Sequence, residues 1–69
     1  TKAIESYQKT IEINPDKDEP WNNLGLTYTD LKNYKEAIIC YQKAINIKPN
    51  KDTAWNNLGT AYFNLENYE

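Results

Sequence analysis

DEPWNNLGLTYTDLKNYKEAIICYQKAINIKPNK, residues 18–51, is followed at once by its own beginning: Asp52-Thr-Ala-Trp55-Asn-Asn-Leu-Gly59 repeats Asp18-Glu-Pro-Trp21-Asn-Asn-Leu-Gly25. The same offset of 34 residues relates Tyr28 to Tyr62 and Leu31 to Leu65. It also reaches backwards, pairing Ala3 with Ala37, Tyr7 with Tyr41, Ile11 with Ile45 and Pro15 with Pro49. Laying residues 1–35 over 35–69 gives 19 identical pairs of 35. The chain is therefore built from copies of one unit. A fixed period of this length specifies stacked supersecondary units, none of which can bury its apolar face alone.

Within each unit the apolar spacing is helical. Trp21, Leu24, Gly25, Tyr28 and Leu31 fall at i, i+3, i+4, i+7 and i+10, which makes one stripe of a helix from about Glu19 to about Leu31. Asp18 is a good N-cap for it, and Pro20 falls in the first turn, where a missing N–H does little harm. Asn33 is expected to cap the next helix, with Glu36 three residues on completing a pattern close to a capping box. That helix carries Tyr34, Ala37, Ile38, Tyr41, Ala44 and Ile45 and ends before Pro49. Before them, Ala3, Tyr7 and Ile11 at i, i+4 and i+8 predict a helix over 2–13, stopped by Asn14-Pro15. After them, Asp52 caps a fourth helix bearing Trp55, Leu58, Gly59, Tyr62 and Leu65. Asn67-Tyr68-Glu69 matches the start of a further helix. The links are short, so sequential helices should pack antiparallel. A glycine inside a helix costs roughly 1 kcal/mol against alanine. Its recurrence at Gly25 and Gly59 predicts a helix or ring too close for a Cβ.

The set Trp21, Leu24, Gly25, Tyr28, Ala37, Tyr41, Ala44 and Pro49 resembles the tetratricopeptide repeat in both period and spacing. The resemblance covers the whole chain. It implies an all-α right-handed solenoid of antiparallel helix pairs in the order B, A, B, A. Residues 1–17 are then the second helix of one repeat, 18–51 a complete repeat, and 52–69 the first helix of another, as in a piece cut from a longer array. Two departures stand out. Thr10 replaces the usual alanine, and Lys32 and Glu66 stand where the family commonly has glycine, with Asn33 and Asn67 expected to supply the tight turn.

Composition narrows the chemistry. The 69 residues allow one small domain at most, and the net charge of −2 comes from interspersed charges with no basic patch and no arginine, which argues against a nucleic-acid surface. No apolar run approaches the ~20 residues of a membrane span. No secretory signal is visible, although the chain opens at Thr1 without Met; a cytoplasmic location is favoured. There is no histidine, no paired-carboxylate cleft and no phosphate loop, so neither an enzyme nor a cofactor or metal site is expected. Cys40 stands alone in Ile38-Ile39-Cys40-Tyr41 and reads as a partly buried, inert thiol. The aromatics Trp21, Tyr28, Tyr41, Trp55 and Tyr62 all fall on packing stripes and read as core.

One face of the A helices is left over by packing. At about 100° per residue, Glu19, Asn22, Leu26, Thr29 and Asp30 lie opposite the Trp21 stripe, with Asn23 on its edge. Thr53, Asn56, Thr60, Phe63, Asn64 and Asn57 occupy the same places one unit later. The resemblance implies that this face lines a concave surface that binds a peptide or protein segment. The asparagines can each donate and accept, which suits an extended backbone. Asn23 and Asn57 also resemble the asparagine ladder in the array of a glycosyltransferase; alternatively, Asn at that place bonds a backbone carbonyl and holds the helices together. The carboxylate clamp of chaperone-binding arrays is not matched, since Lys32 is the lone lysine the A helices offer, at a helix end. The expected function is a protein-interaction scaffold; the alternative is a substrate-recruiting or regulatory segment of a larger enzyme. A second partner is expected as well: head-to-tail stacking of copies through the first and last helices.

Overall fold

The computed structural model describes residues 1–68, with side chains through Asn67. Among these residues the elements are four helices: α1 (Lys2–Ile13), α2 (Asp18–Asp30), α3 (Tyr34–Ile47) and α4 (Asp52–Tyr68). α1 starts where Thr1 Oγ1 accepts the Ile4 amide at 3.1 Å, and it ends at Asn14, the residue before Pro15. Each helix packs on its sequence neighbours, and α3 lies between α2 and α4, touching both. α2 and α4 also approach each other directly, whereas α1 and α3 do not. The helices thus form a thin slab, 35 × 30 × 13 Å, in which α2 and α4 stand closer together than their partners do.

The core lies where α3 meets its two neighbours. Ala37, Ile38, Tyr41, Ala44 and Ile45 of α3 are buried with Ala54, Leu58 and Ala61 of α4, and Trp21, Tyr28 and Leu65 pack against them half-buried. Tyr41, 1% exposed, is the largest fully buried side chain. Its ring lies close against Gly25: a Cβ built there would come 2.7 Å from Cδ1 and 2.9 Å from Cζ, well inside van der Waals contact. This bears out the reading of the repeated glycine for Gly25. It does not hold at Gly59, where a Cβ would meet nothing within 4 Å. The physical reason is that α3 lies over Gly25, whereas no helix among the described residues lies over Gly59.

The Tyr41 hydroxyl is 3.0 Å from Thr29 Oγ1, which itself donates to the Gly25 carbonyl at 2.9 Å. Thr29 has one hydroxyl proton and it is committed to Gly25, so Tyr41 is the donor of the pair. Burial pushes the Tyr41 phenol above its ordinary pKa. Burial, with the Glu36 carboxylate nearby, raises the Cys40 thiol to about 11; Cys40 is buried where its apolar setting predicts partial burial.

Several local expectations change. Asp18 is the first helical residue and does not cap: Lys17 takes that place, with no side-chain cap bond. Burial against the α3–α4 link draws the Asp18 carboxylate to Lys51 instead. Asn33 does sit at the N-cap of α3, but its side chain makes no capping bond. The turn after α2 is made by Lys32, not Asn33: Lys32 has φ 62° while Asn33 has φ −94°. The amides of Lys32 and Asn33 donate to the carbonyls of Thr29 and Tyr28 at 2.9 and 2.8 Å, the paired bonds of a Schellman motif with a lysine in the glycine place. Packing of α3 back onto α2 compensates the left-handed cost. At the matching point in the last unit α4 runs on through Glu66 and Asn67 to Tyr68. Glu69 lies outside the described residues.

Trp55 and Tyr62 depart from the core reading too, being 52% and 42% exposed. Trp55 Nε1 donates to the Pro49 carbonyl at 2.9 Å, and Gln42 Nε2 donates to the Tyr62 hydroxyl at 3.2 Å. No helix of α1–α4 covers the stripe they belong to. Among the described residues, no helix is long and apolar enough to cross a membrane.

Candidate functional site

The face left over by packing is the surface of α2 and α4 turned away from α3. Glu19, Asn23 and Asp30 of α2 are exposed, and Leu26 is 42% exposed although apolar. Asn22 is half-buried because it faces α4: Asn57 Nδ2 donates to Asn22 Oδ1 at 3.1 Å. On α4, Thr53, Asn56 and Thr60 are exposed, Asn64 is half-buried and Phe63 is 65% exposed. Leu26 and Thr60 hold the same place in consecutive repeats, as do Glu19 and Thr53, so the surface is continuous across the α2–α4 seam.

Thr29 does not belong with the open surface. It turns toward α3 and is occupied by Gly25 and Tyr41. Phe63 holds the Thr29 place in the last unit, so it lies at the outer edge of the α4 surface. The asparagines divide as well. Asn57 bonds a side chain of the neighbouring A helix, not a backbone carbonyl, and the Asn22–Asn57 pair stitches α2 to α4. Each keeps unused capacity: Asn22 its amide protons, Asn57 its carbonyl oxygen. Asn23 and Asn56 make no side-chain bond to either helix.

Charge is segregated between the layers. All the lysines (2, 9, 17, 32, 35, 43, 48 and 51) lie outside α2 and α4, which carry Asp18, Glu19, Asp30, Asp52 and Glu66. Asp18 is neutralised: Lys51 Nζ donates to its Oδ2 at 2.9 Å, and Lys48 stands 3.9 Å from Oδ1. The Lys51 bond holds the Asp18 carboxyl below the usual carboxylate range, and Asp18 in turn raises the Lys51 ammonium. The remaining carboxylates give the α2/α4 layer a net negative field.

The Asp18–Lys51 pair was not anticipated from sequence. Its signal is present: Lys17-Asp18 recurs as Lys51-Asp52, so each repeat offers an aspartate at the start of its A helix and a lysine just before the next. The pair ties the first residue of the complete repeat to its last. A hollow lined by Ile47, Lys48, Pro49, Asn50 and Lys51 lies at the same link, where Lys51 is already engaged.

No curated protein matches this chain. A family model described as TPR repeat matches residues 1–31 and again residues 26–66, which together take in both helix layers, the Gly25–Tyr41 contact and the seam between α2 and α4. The chain belongs to the tetratricopeptide (TPR) repeat family.

Proposed function

We propose that the surface formed by α2 and α4 binds an extended, positively charged protein segment carrying at least one apolar side chain. TPR repeats are generally non-catalytic protein-interaction modules. The observation that carries the finer reading is the segregation of charge: the layer holding the open asparagines carries carboxylates and no lysine. Such a surface attracts cationic segments and repels acidic ones, which sets partner choice and on-rate more than raw affinity. Leu26 offers the apolar contact, and the free amide groups of Asn22, Asn23 and Asn56 can bond an extended backbone.

The test is a peptide array probed with the chain, followed by titration of the best binder. Lysine-containing peptides should bind above their acidic counterparts, and affinity should fall as salt rises. A variant carrying Glu19→Lys, Leu26→Ser and Thr60→Lys should lose binding with its helicity unchanged, because none of these side chains contacts another helix through a hydrogen bond or ion pair. Lys9→Glu with Lys43→Glu, on the other layer, should leave binding intact. Full affinity in the first variant would overturn the assignment.

A further inference from the structure

The α2/α4 surface has a seam down its middle, where the two helices approach each other directly. Among the described residues, two side-chain hydrogen bonds span it. Lys51 Nζ donates to Asp18 Oδ2 at 2.9 Å, and Asn57 Nδ2 donates to Asn22 Oδ1 at 3.1 Å. Asp18 is the first residue of α2 and Lys51 the last before α4, so the ion pair ties the start of one helix to the start of the other. Neither belongs to the open surface: the Asp18 side chain is 6% exposed, and Lys51 lies on the α3–α4 link, engaged by Asp18. On the reading that this surface binds a segment, we propose that Asp18 and Lys51 are positioning residues for it. Their ion pair latches α2 to α4 at the spacing the segment needs.

The pair acts on helix position because the carboxylate is buried. Removing one half of a buried pair leaves an uncompensated charge, a far larger effect than losing an exposed ion pair. Without Lys51, the Asp18 carboxylate gains water only if the first turn of α2 lifts away from the α3–α4 link. That movement widens the seam at its start, where Glu19 and Thr53 face each other in register across consecutive repeats. Lys48 stands 3.9 Å from Asp18 Oδ1, beyond hydrogen-bond reach, and offers a partial substitute.

Charge alone gives the opposite sign. Lys51 is a cation beside an acidic layer, so its removal makes the surroundings more negative and draws a cationic segment in more tightly. A latch gives weaker binding from the same substitution.

Two measurements read the latch. The first needs no segment: spin labels at Glu19→Cys and Thr53→Cys, in a chain with Cys40→Ala, report the distance across the seam by dipolar coupling. Lys51→Gln should lengthen and broaden that distance, and Lys48→Gln added to it should do so further. Lys51→Arg, which keeps the charge and the donors, should hold the parent value. The second is titration with the best lysine-containing peptide from the array. Lys51→Gln should weaken its binding roughly three- to thirtyfold, and Lys51→Arg should bind like the parent. Lys17→Gln removes an equal charge from an exposed lysine and should weaken nothing. Ile45→Val, which loosens the core on α3 away from the seam, should lower the melting temperature and leave distance and affinity in place. An unchanged label distance in Lys51→Gln, binding as tight as the parent's or tighter, or an equal loss in Ile45→Val overturns the proposal. If no peptide binds the parent, the surface assignment fails by itself, and the label distance still decides the latch.

Discussion

Gly25→Ala and Gly59→Ala are the same substitution at the same place in consecutive repeats, and they should have opposite signs. Both gain roughly 1 kcal/mol of helix propensity. At Gly59 nothing opposes the gain, because a Cβ meets no atom within 4 Å. At Gly25 the new methyl would stand 2.7 and 2.9 Å from ring carbons of Tyr41, where contact begins near 3.4 Å. The ring cannot swing aside: it is 1% exposed and anchored through its hydroxyl to Thr29. Overpacking of this kind costs about 1–3 kcal/mol, and a rigid, enclosed ring belongs at the upper end. The net loss at Gly25 is therefore about 2 kcal/mol against a gain of about 1 kcal/mol at Gly59. For a domain of this size each kcal/mol moves the melting temperature by roughly 4–8 °C. Thermal melts followed by circular dichroism, at low concentration, should show Gly59→Ala above the parent and Gly25→Ala well below it. Equal shifts, or a Gly25→Ala variant as stable as the parent, would refute the packing assigned to Tyr41.

Lys32→Gly should raise stability by about 1 kcal/mol, since Lys32 holds a positive φ of 62°; no change on melting would mean the turn is not left-handed in solution. Tyr41→Phe should cost about 1 kcal/mol, because Thr29 keeps its bond to Gly25 and only the phenol bond is lost; a cost as large as that of Gly25→Ala would point to a wider polar network. Asp18 has its pKa depressed on folding by Lys51, so it contributes stability above its unfolded pKa, near about 3.9, and that contribution is lost as pH falls through the lower folded value. Asp18→Asn should therefore be less stable at neutral pH and lose less stability below about pH 4, and parallel stability curves would contradict the pair. Cys40, with its thiol raised to about 11, should react slowly with a thiol reagent at mildly alkaline pH in the folded chain and fast in denaturant; similar rates would mean an exposed thiol.

The helices and the α2–α3–α4 core were legible because their signals are periodic and local: apolar stripes at helical spacing, prolines after the B helices, and one glycine per unit. A close neighbour at Gly25 was legible too, as a helix or an aromatic ring; the structure makes it the Tyr41 ring. What the sequence did not show is which copy of a repeated residue has a neighbour. Trp21 and Trp55 are both followed by Asn-Asn-Leu-Gly, yet α3 covers the first and leaves the second 52% exposed. Capping failed for a related reason. Asp18 is a fine N-cap by type, but a buried carboxylate facing a lysine 33 residues away takes the ion pair instead. At Lys32 the expectation that asparagine makes the left-handed turn followed propensity, whereas the Schellman bonds place that conformation one residue earlier. On the candidate surface, Leu26, Glu19 and Thr60 fall where helical geometry puts them. Thr29 was misplaced because it sits near the seam, where a small rotation decides between solvent and Tyr41.

The most direct test of the α2/α4 surface is an NMR titration of the labelled chain with a lysine- and leucine-containing extended peptide chosen from the array. The account predicts that the amide signals of Glu19, Asn22, Asn23, Leu26, Thr53, Asn56 and Thr60 move together on one saturating isotherm, while those of Lys9, Glu12, Gln42 and Lys43 stay in place. Shifts confined to α1 and the outer side of α3, with the α2/α4 signals unmoved at saturation, would contradict it.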